Sequence, residues 1–411
     1  MGEPAGGFSG GGVIGTEPEH TSRFVKLGKY YVNEALRPID AWRLLWSQQL
    51  EFLGSEGKNV ARLERVVERL PSNLVRCVRA TRATARFLRA RRRLEPDSVL
   101  ELPFAGDIAI RRRSGAVKVL DLNHGRVITL MSGAQASGKL RTRLDRARRV
   151  EAYPFAPRVV AAGPDRGWFA EEFIPGVHPT GFKGCHEGFE DVYLPLLTAL
   201  ARAESPEWRT LGTYAEELTA QILSADGLLR QMPGPERDRV ATFASRVRSS
   251  LVSSPHAQDG VPLVLSHGDL FSGNVVVPPD GGPRAIDWAH LGRRSALFDL
   301  YYVMMNHCVR VLPPHSVQRR IEEAVAALRS RLEEVDAAKS AELAPGLRAC
   351  PELRRLFYLE CVLVPLVNCD DPSDRYVRAM LQRIDWFEAH ERAVADVGRL
   401  AGRDQASRRR T

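Results

Sequence analysis

Eight residues, His267-Gly268-Asp269-Leu270-Phe271-Ser272-Gly273-Asn274, lie between two short apolar and largely β-branched runs, Val261–Leu265 and Val275–Val277. Apolar runs of that length bounded by turn formers read as buried strands, so the polar octapeptide must be the loop that joins them. Pro278-Pro279-Asp280-Gly281-Gly282-Pro283 then turns the chain back into Arg284-Ala285-Ile286, whose end delivers Asp287 to the same neighbourhood. A chain folded in this way carries two carboxylates and a carboxamide on neighbouring strand ends.

Those residue types suit phosphoryl transfer. A hydroxyl that attacks the γ-phosphorus of ATP needs a carboxylate to orient it and take its proton, and Asp269 sits where a loop presents one. Magnesium takes hard oxygen ligands, commonly one or two from the protein, with phosphate and water completing the shell. Asn274 offers a neutral carbonyl oxygen for that purpose and Asp287 a charged one. The plainer alternative is that Asp269, Asn274 and Asp287 are turn formers chosen for backbone reasons.

The spacing His267-Gly268-Asp269 through Asn274, followed by Ile286-Asp287-Trp288 and Phe298-Asp299-Leu300, resembles the active-site stretch of the aminoglycoside phosphotransferase and choline kinase family, relatives of the protein kinases. The resemblance implies that Asp269 is the catalytic base, that Asn274 and Asp287 bind magnesium, and that His267 buttresses the loop. Asp299 matches a family position that holds the catalytic loop in shape, though an Asp at a helix start also serves as a plain N-terminal charge.

With 411 residues, 44% of them hydrophobic and 27% charged, the chain can bury a large core and should divide into two or three domains. The six cysteines show neither CxxC pairing nor histidine partners at zinc spacing, which points to free thiols in a reducing compartment. No run approaches the ~18 apolar residues of a membrane span, and Met1 to Glu19 lacks the basic-then-apolar order of a signal peptide. A cytoplasmic location is expected. Gly10–Gly15 fits GxGxxG on paper, but glycine, serine and proline precede it where a phosphate loop needs a strand, so 1–20 reads as a flexible tail.

From about Asn33 to Arg93 the apolar spacing is helical: Trp42, Leu45, Trp46, Leu50 and Leu53, then Val60, Leu63, Val66, Val67 and Leu70. A further helix after Pro71 carries Arg76, Arg79, Arg82, Arg86 and Arg89 and ends in Arg91-Arg92-Arg93, with no acidic residue from Leu74 to Leu94. The default for such a face is solvation; the alternative is weak contact with an anionic membrane or polyanion. Phe87 is the one aromatic among these arginines, which argues against a specific nucleic-acid surface.

Short strands follow at 108–110, 117–120 and 126–130, then a helix over about 137–152 and strands at 158–161 and 168–171, which together resemble the family's small nucleotide lobe. Glu172, Phe173 and Ile174 match the hinge that would meet adenine. The family's third-strand lysine, which grips the α- and β-phosphates, has no counterpart in Arg126–Met131; Lys118, Arg126 and Lys139 are the candidate substitutes, and strand alternation allows Lys118 to face the cleft, although a lysine so placed more often faces water. Asp145 or Glu151 would replace the helix glutamate that pairs with that lysine.

Helical patterns fill 189–203, 214–232 and 236–252, and then 296–311, 316–343, 352–367 and 374–397; in this part of the chain His307, Glu360 and Asp371 could meet an acceptor, though the default for each is a structural or exposed residue. The expected architecture is α+β, a two-lobed protein-kinase-like fold with a small antiparallel-sheet lobe, a large mostly helical lobe and an extra N-terminal helical segment. The expected divisions are a glycine-rich tail at 1–20, the helical segment at 21–95, the nucleotide lobe at 96–172, the helical lobe at 173–400 and a basic tail at 401–411. The expected activity is transfer of the γ-phosphate of ATP, with Mg2+, to a small-molecule, sugar or glycan hydroxyl. A nucleotide-binding scaffold without turnover is the alternative, favoured by the missing lysine.

Overall fold

The computed structural model describes residues 21–27, 30–47, 72–93, 99–111, 116–131, 136–179, 188–224, 228–279, 281–308, 312–368 and 375–408. The glycine-rich tail at 1–20, the apolar stripe from Leu50 to Leu70, Asp371 and the last residues of the basic tail lie outside them, as do the side chains of Arg76, Arg79 and His307. The chain forms two compact units, one of residues 1–151 and 157–174 and the other of 152–156 and 175–411. Among the described residues no helix is long and apolar enough to cross a membrane.

The first unit is an eight-stranded antiparallel sheet. Its strands are β1 (Ser22–Leu27), β2 (Tyr30–Asn33), β3 (Val99–Leu102), β4 (Ile108–Arg111), β5 (Val117–Asp121), β6 (Arg126–Leu130), β7 (Val159–Gly163) and β8 (Trp168–Glu172), in the order β3-β1-β2-β4-β5-β6-β8-β7. The meander expected from 108 to 130 is present, and so are the last two strands. The N-terminal segment holds the helices that the periodicity indicates, α1 (Pro38–Ser47) and α2 (Ser72–Arg93). It also holds β1 and β2, which the periodicity does not reveal. In β1 the neighbours Phe24 and Val25 are both fully buried, one on each sheet face, so the alternation that marks a one-sided strand is absent.

One face of the sheet is closed by Phe24, Tyr31, Ala109, Val119, Ile128 and Ala170. On the other face, Ala80, Ala83 and Phe87 of α2 pack on Val25, Leu27 and Val32 at one end. At the far end, α3 (Ala136–Val150) sets Leu140, Leu144 and Ala147 against Met131 and Phe169. Both helices bury the i, i+3/i+4, i+7 stripe of an amphipathic helix. The arginine-rich character of α2 therefore belongs to its outer side, where Arg86, Arg89, Arg92 and Arg93 are exposed.

The second unit is mostly helical. Its strands are few: β9 (Glu207–Thr210), β10 (Gly260–Ser266) and β13 (Gly292–Ser295) form a sheet in the order β13-β10-β9, and β11 (Val275–Val276) pairs with β12 (Arg284–Ala285). Its helices are α4 (Leu194–Ala203), α5 (Leu211–Leu223), α6 (Leu228–Gln231), α7 (Gly234–Val252), α8 (Phe298–Cys308), α9 (Pro314–Val335), α10 (Ala337–Leu343), α11 (Pro351–Asn368) and α12 (Arg375–Arg408). Two expected helices are each divided. The 214–232 stretch breaks between α5 and α6, and 316–343 breaks at Asp336, whose carboxylate caps α10 by accepting from the Lys339 amide at 3.0 Å.

Helix α11 runs through the core, with Leu353 to Leu366 buried throughout except for half-buried Arg355. Glu360, one of its buried groups, accepts from Tyr214 Oη at 2.9 Å, Ser295 N at 2.7 Å and Ser295 Oγ at 2.6 Å, which makes it a brace between α5 and β13 and not an acceptor-binding residue. Helix α12 packs on α11 through Phe387 stacked on Tyr358, ring centres 4.1 Å apart, and through Glu391 bound to Arg354 at 2.7 Å. Burial pushes the His390 imidazole on this helix down to about 4, with the Arg354 charge adding to the effect and Glu391 opposing it.

Two outcomes follow from this packing. Phe87→Ala should destabilise the first unit by about 3–5 kcal/mol, read from the shift of its denaturation midpoint. His390 binds a proton in the unfolded chain near pH 6.5 but in the folded chain only near 4. Stability is therefore expected to be complete above about pH 6.5 and to fall by about 3 kcal/mol as pH drops to about 4. His390→Phe should flatten that part of a stability-against-pH curve, measured by urea denaturation.

Candidate active site

Strand β10 is buried from Val261 to Ser266, so the residues that follow leave the sheet still inside the unit, with their backbone groups to be satisfied there. Asp299, at the start of α8, supplies the acceptors. Its Oδ2 accepts the His267 amide at 2.8 Å and its Oδ1 accepts the Gly268 amide at 3.1 Å. It is thus the loop organiser, not merely a helix-start charge. Gly268 turns the chain with φ of +83°, and a Cβ there would lie 2.4 Å from the His290 carbonyl oxygen, so no other residue fits.

The His267 ring is fully buried and faces Trp288, with ring centres 4.6 Å apart. Its Nδ1 accepts the Asp269 amide at 3.3 Å, which leaves the ring proton on Nε2, donated to the Ile286 carbonyl at 3.0 Å. One imidazole therefore ties the Asp269 loop to the strand that leads into Asp287. The second tie is Asn274, whose amide nitrogen donates to the Asp269 carbonyl at 2.9 Å and to Asp269 Oδ2 at 3.1 Å. The Asn274 backbone carbonyl accepts the Ile286 amide at 2.9 Å. Phe155 packs beneath on Trp288, and its carbonyl accepts the Ala285 amide at 2.8 Å.

Asp287 is the one described non-glycine residue with positive φ, at +65°. Aspartate tolerates this region better than most residues, and backbone strain of this kind concentrates at functional sites. Asp269, Asn274 and Asp287, predicted from the sequence, are thus brought together by His267, Asn274 and Ile286 into one cluster.

The sequence did not reveal what grips Asp269 itself. Tyr302 donates its hydroxyl to Asp269 Oδ1 at 2.5 Å, and Arg383 of α12 donates from Nη2 to the Tyr302 oxygen at 3.1 Å. Tyr302 lies three residues after Asp299, on the same helix face, so its direction was recoverable once Asp299 was taken as the loop organiser. Arg383 carried no such signal. Burial pushes the Asp269 carboxyl above the ordinary carboxylate range, opposed by the Tyr302 hydrogen bond; the Asp287 charge adds to the push and Arg383 opposes it. Burial, with the Asp269 charge added, holds the Tyr302 phenol well above its usual range, so it stays a donor.

In the first unit, Lys118 on β5 lies directly opposite Thr129 on β6, the strand on which the family lysine was sought. The pairings Lys118–Thr129–Phe169 put all three on the sheet face that carries α3. The rival Arg126 and the candidate helix partner Glu151 both have bonds elsewhere. Arg126 donates to Asp121 at 2.8 Å, and Glu151 accepts the Val159 amide at 3.1 Å. In the hinge, Glu172 faces Arg158 at 3.5 Å and its amide donates to the Arg158 carbonyl; the Phe173 amide donates to the Gly125 carbonyl at 2.8 Å, and Ile174 is buried.

The family model of the phosphotransferase enzyme family matches residues 82–335, well over half of the chain. The chain belongs to that family. Its reaction class is phosphoryl transfer. Among solved structures, this phosphotransferase is similar to an aminoglycoside phosphotransferase from Streptomyces rimosus, at 20% identity over 64% of this chain and 92% of that one, with a TM-score of 0.36. It is also similar to a choline/ethanolamine kinase family protein from Mesorhizobium loti (18%, 69% and 87%, 0.40) and to the Plasmodium vivax ethanolamine kinase (12%, 68% and 81%, 0.43). No curated protein matches it.

Asp299→Ala would leave two buried amides without acceptors, each costing about 1–3 kcal/mol. The expected result is a lower denaturation midpoint together with loss of phosphotransferase activity, whereas an unchanged midpoint would contradict the anchoring role.

Proposed function

We propose that this phosphotransferase moves the γ-phosphate of ATP to a hydroxyl of a small-molecule, sugar or glycan-type acceptor, with Asp269 as the base. The observation that carries this reading is the state of the Asp269 carboxylate. It is buried, and each oxygen is fixed by one donor, Tyr302 on Oδ1 and Asn274 on Oδ2. An ionised carboxylate has about four acceptor sites, so two hydrogen bonds fix its orientation and leave room for an acceptor hydroxyl. That hydroxyl passes its proton to Asp269 as its oxygen bonds to the γ-phosphorus, and the β,γ-bridging oxygen leaves with the electron pair of the broken bond on ADP.

The donor set suits magnesium. Asn274 spends its amide nitrogen on Asp269, which turns its side-chain carbonyl oxygen to other use, and Asp287 stands close enough for its charge to act on Asp269. Among the described residues no cluster of three or more His, Cys, Asp or Glu forms a cage for a metal, and magnesium held mainly by phosphate and water requires none. Bound between Asn274 and Asp287, it would supply positive charge to the phosphate oxygens. Lys118 is the candidate for the α- and β-phosphates, supported by its place opposite Thr129 on the α3 face. With the Glu172 and Phe173 amides engaged, the adenine contact falls to Ile174 and to the carbonyls of Glu172 and Phe173. The free thiols Cys77, Cys350 and Cys361 and the use of ATP fit a cytoplasmic setting.

The exposed arginines of α2 favour a weak, salt-sensitive contact with anionic lipid. Co-sedimentation with phosphatidylserine vesicles should fall when Arg86, Arg89, Arg92 and Arg93 are changed to glutamine; sedimentation unaffected by that change would remove the idea.

The function is tested by transfer of labelled γ-phosphate from Mg-ATP to a panel of hydroxyl acceptors. Asp269→Asn is expected to lower turnover by about 10²–10⁴-fold, Asp287→Ala to weaken magnesium-dependent nucleotide binding, and Lys118→Ala to raise KM for ATP. A protein that binds Mg-ATP but transfers nothing would be the scaffold, and full turnover by Asp269→Asn would remove the base assignment.

A further inference from the structure

Helix α8 holds the loop at two points one turn apart: Asp299 takes the backbone amides, and Tyr302 takes the carboxylate that does the chemistry. The direction of the second contact is fixed by what lies behind it. A guanidinium can only donate, so the Arg383 Nη2 contact occupies a lone pair of the Tyr302 oxygen at 3.1 Å, and the single phenol proton is left to point at Asp269 Oδ1. Arg383 is itself fixed. Its Nη1 reaches Cys361 Sγ at 3.6 Å on α11, and its guanidinium carbon lies 5.0 Å from the centre of the Tyr302 ring. Phe298 also stacks on the same tyrosine, with ring centres 5.9 Å apart. Tyr302 is 5% exposed and has no room to turn away.

We propose that Tyr302 and Arg383 form a positioning pair for phosphoryl transfer: Arg383 directs the Tyr302 hydroxyl, and that hydroxyl sets the rotation of the Asp269 carboxylate at which an acceptor hydroxyl is met. The proposal rests on Asp269 being the base, and it adds a residue, Arg383, that lies beyond the stretch 82–335 matched by the family model. Asn274 alone holds only Oδ2. A carboxylate held at one oxygen can swing about its Cβ–Cγ bond, and misplacement of a reacting group by about 1 Å can cost ~10²-fold in rate.

The test uses the full chain with Mg-ATP and measures two things, slow hydrolysis with water as acceptor and the far-downfield proton spectrum. Tyr302→Phe keeps the ring and its packing. It is expected to lower kcat by about 10- to 100-fold with KM for ATP unchanged within about twofold and thermal stability nearly retained. Arg383→Gln should lower kcat in the same direction, and Arg383→Lys, which still donates, should recover part of it. In the Asp269→Asn background Tyr302→Phe should have no further effect, since residues that act as a unit are not additive. A hydroxyl proton resonance present in the native protein should vanish in both Tyr302→Phe and Asp269→Asn. Native kcat in Tyr302→Phe, an equal loss in both backgrounds, or absence of that resonance overturns the pair. Loss of the assignment of Asp269 as base is a separate result, read as native turnover in Asp269→Asn while the resonance persists in the native protein.

Discussion

The two hydrogen bonds from Asp299 to the amides of His267 and Gly268 are what the site is built on. Strand β10 ends inside the second unit, and a loop that continues from a buried strand must find acceptors for each amide or lose stability with each one. One carboxylate meets two successive amides at once, which forces the tight turn at Gly268 and directs the next residue, Asp269, back across the loop. His267 then closes the far side by joining the Asp269 amide to the Ile286 carbonyl through the two nitrogens of one ring. The positions of Asp269, Asn274 and Asp287 relative to each other follow from these few bonds.

Around that loop the rest of the second unit supplies rigidity. Glu360 is a buried carboxylate of α11 that meets three donors, so it holds α5 and β13 in place. Strand β13 leads directly into α8, and α8 carries both Asp299 and Tyr302. A group whose own hydrogen bonds are all internal can therefore matter to the site through the helix that it steadies, as the supporting residues of preorganised sites do.

Much of this was legible in the sequence because the candidate site residues sit in a short span. The buried strand before His267, the loop, and the return to Asp287 follow from apolar runs and turn residues, and the structure has them as β10, the loop and β12. The first unit was legible where the strands alternate or are separated by clear turns, from β4 to β8. It was not legible at β1, where Phe24 and Val25 are buried on opposite faces and no period of two shows. The helix ends at Leu223 and Val335 were hidden for another reason, since the apolar spacing carries on past each break. Tyr302 was within reach through its i+3 relation to Asp299. Arg383 was not, because its partner is 81 residues away in the chain and α12 carries several other arginines from which no spacing sets it apart.

The placement of Arg383 on α12 bears on where this protein can be cut. A fragment trimmed to residues 82–335 would retain His267, Asp269, Asn274, Asp287, Asp299 and Tyr302, every residue by which the active site is recognised. It would lack the guanidinium behind Tyr302 and the helix, α11, that fills the core beside α8. It would also lack β1 and β2, leaving β4 as a bare sheet edge open to pairing with other chains. The recognisable enzyme and the foldable enzyme are thus different lengths of the same polypeptide, and the longer one is set by packing that no motif records.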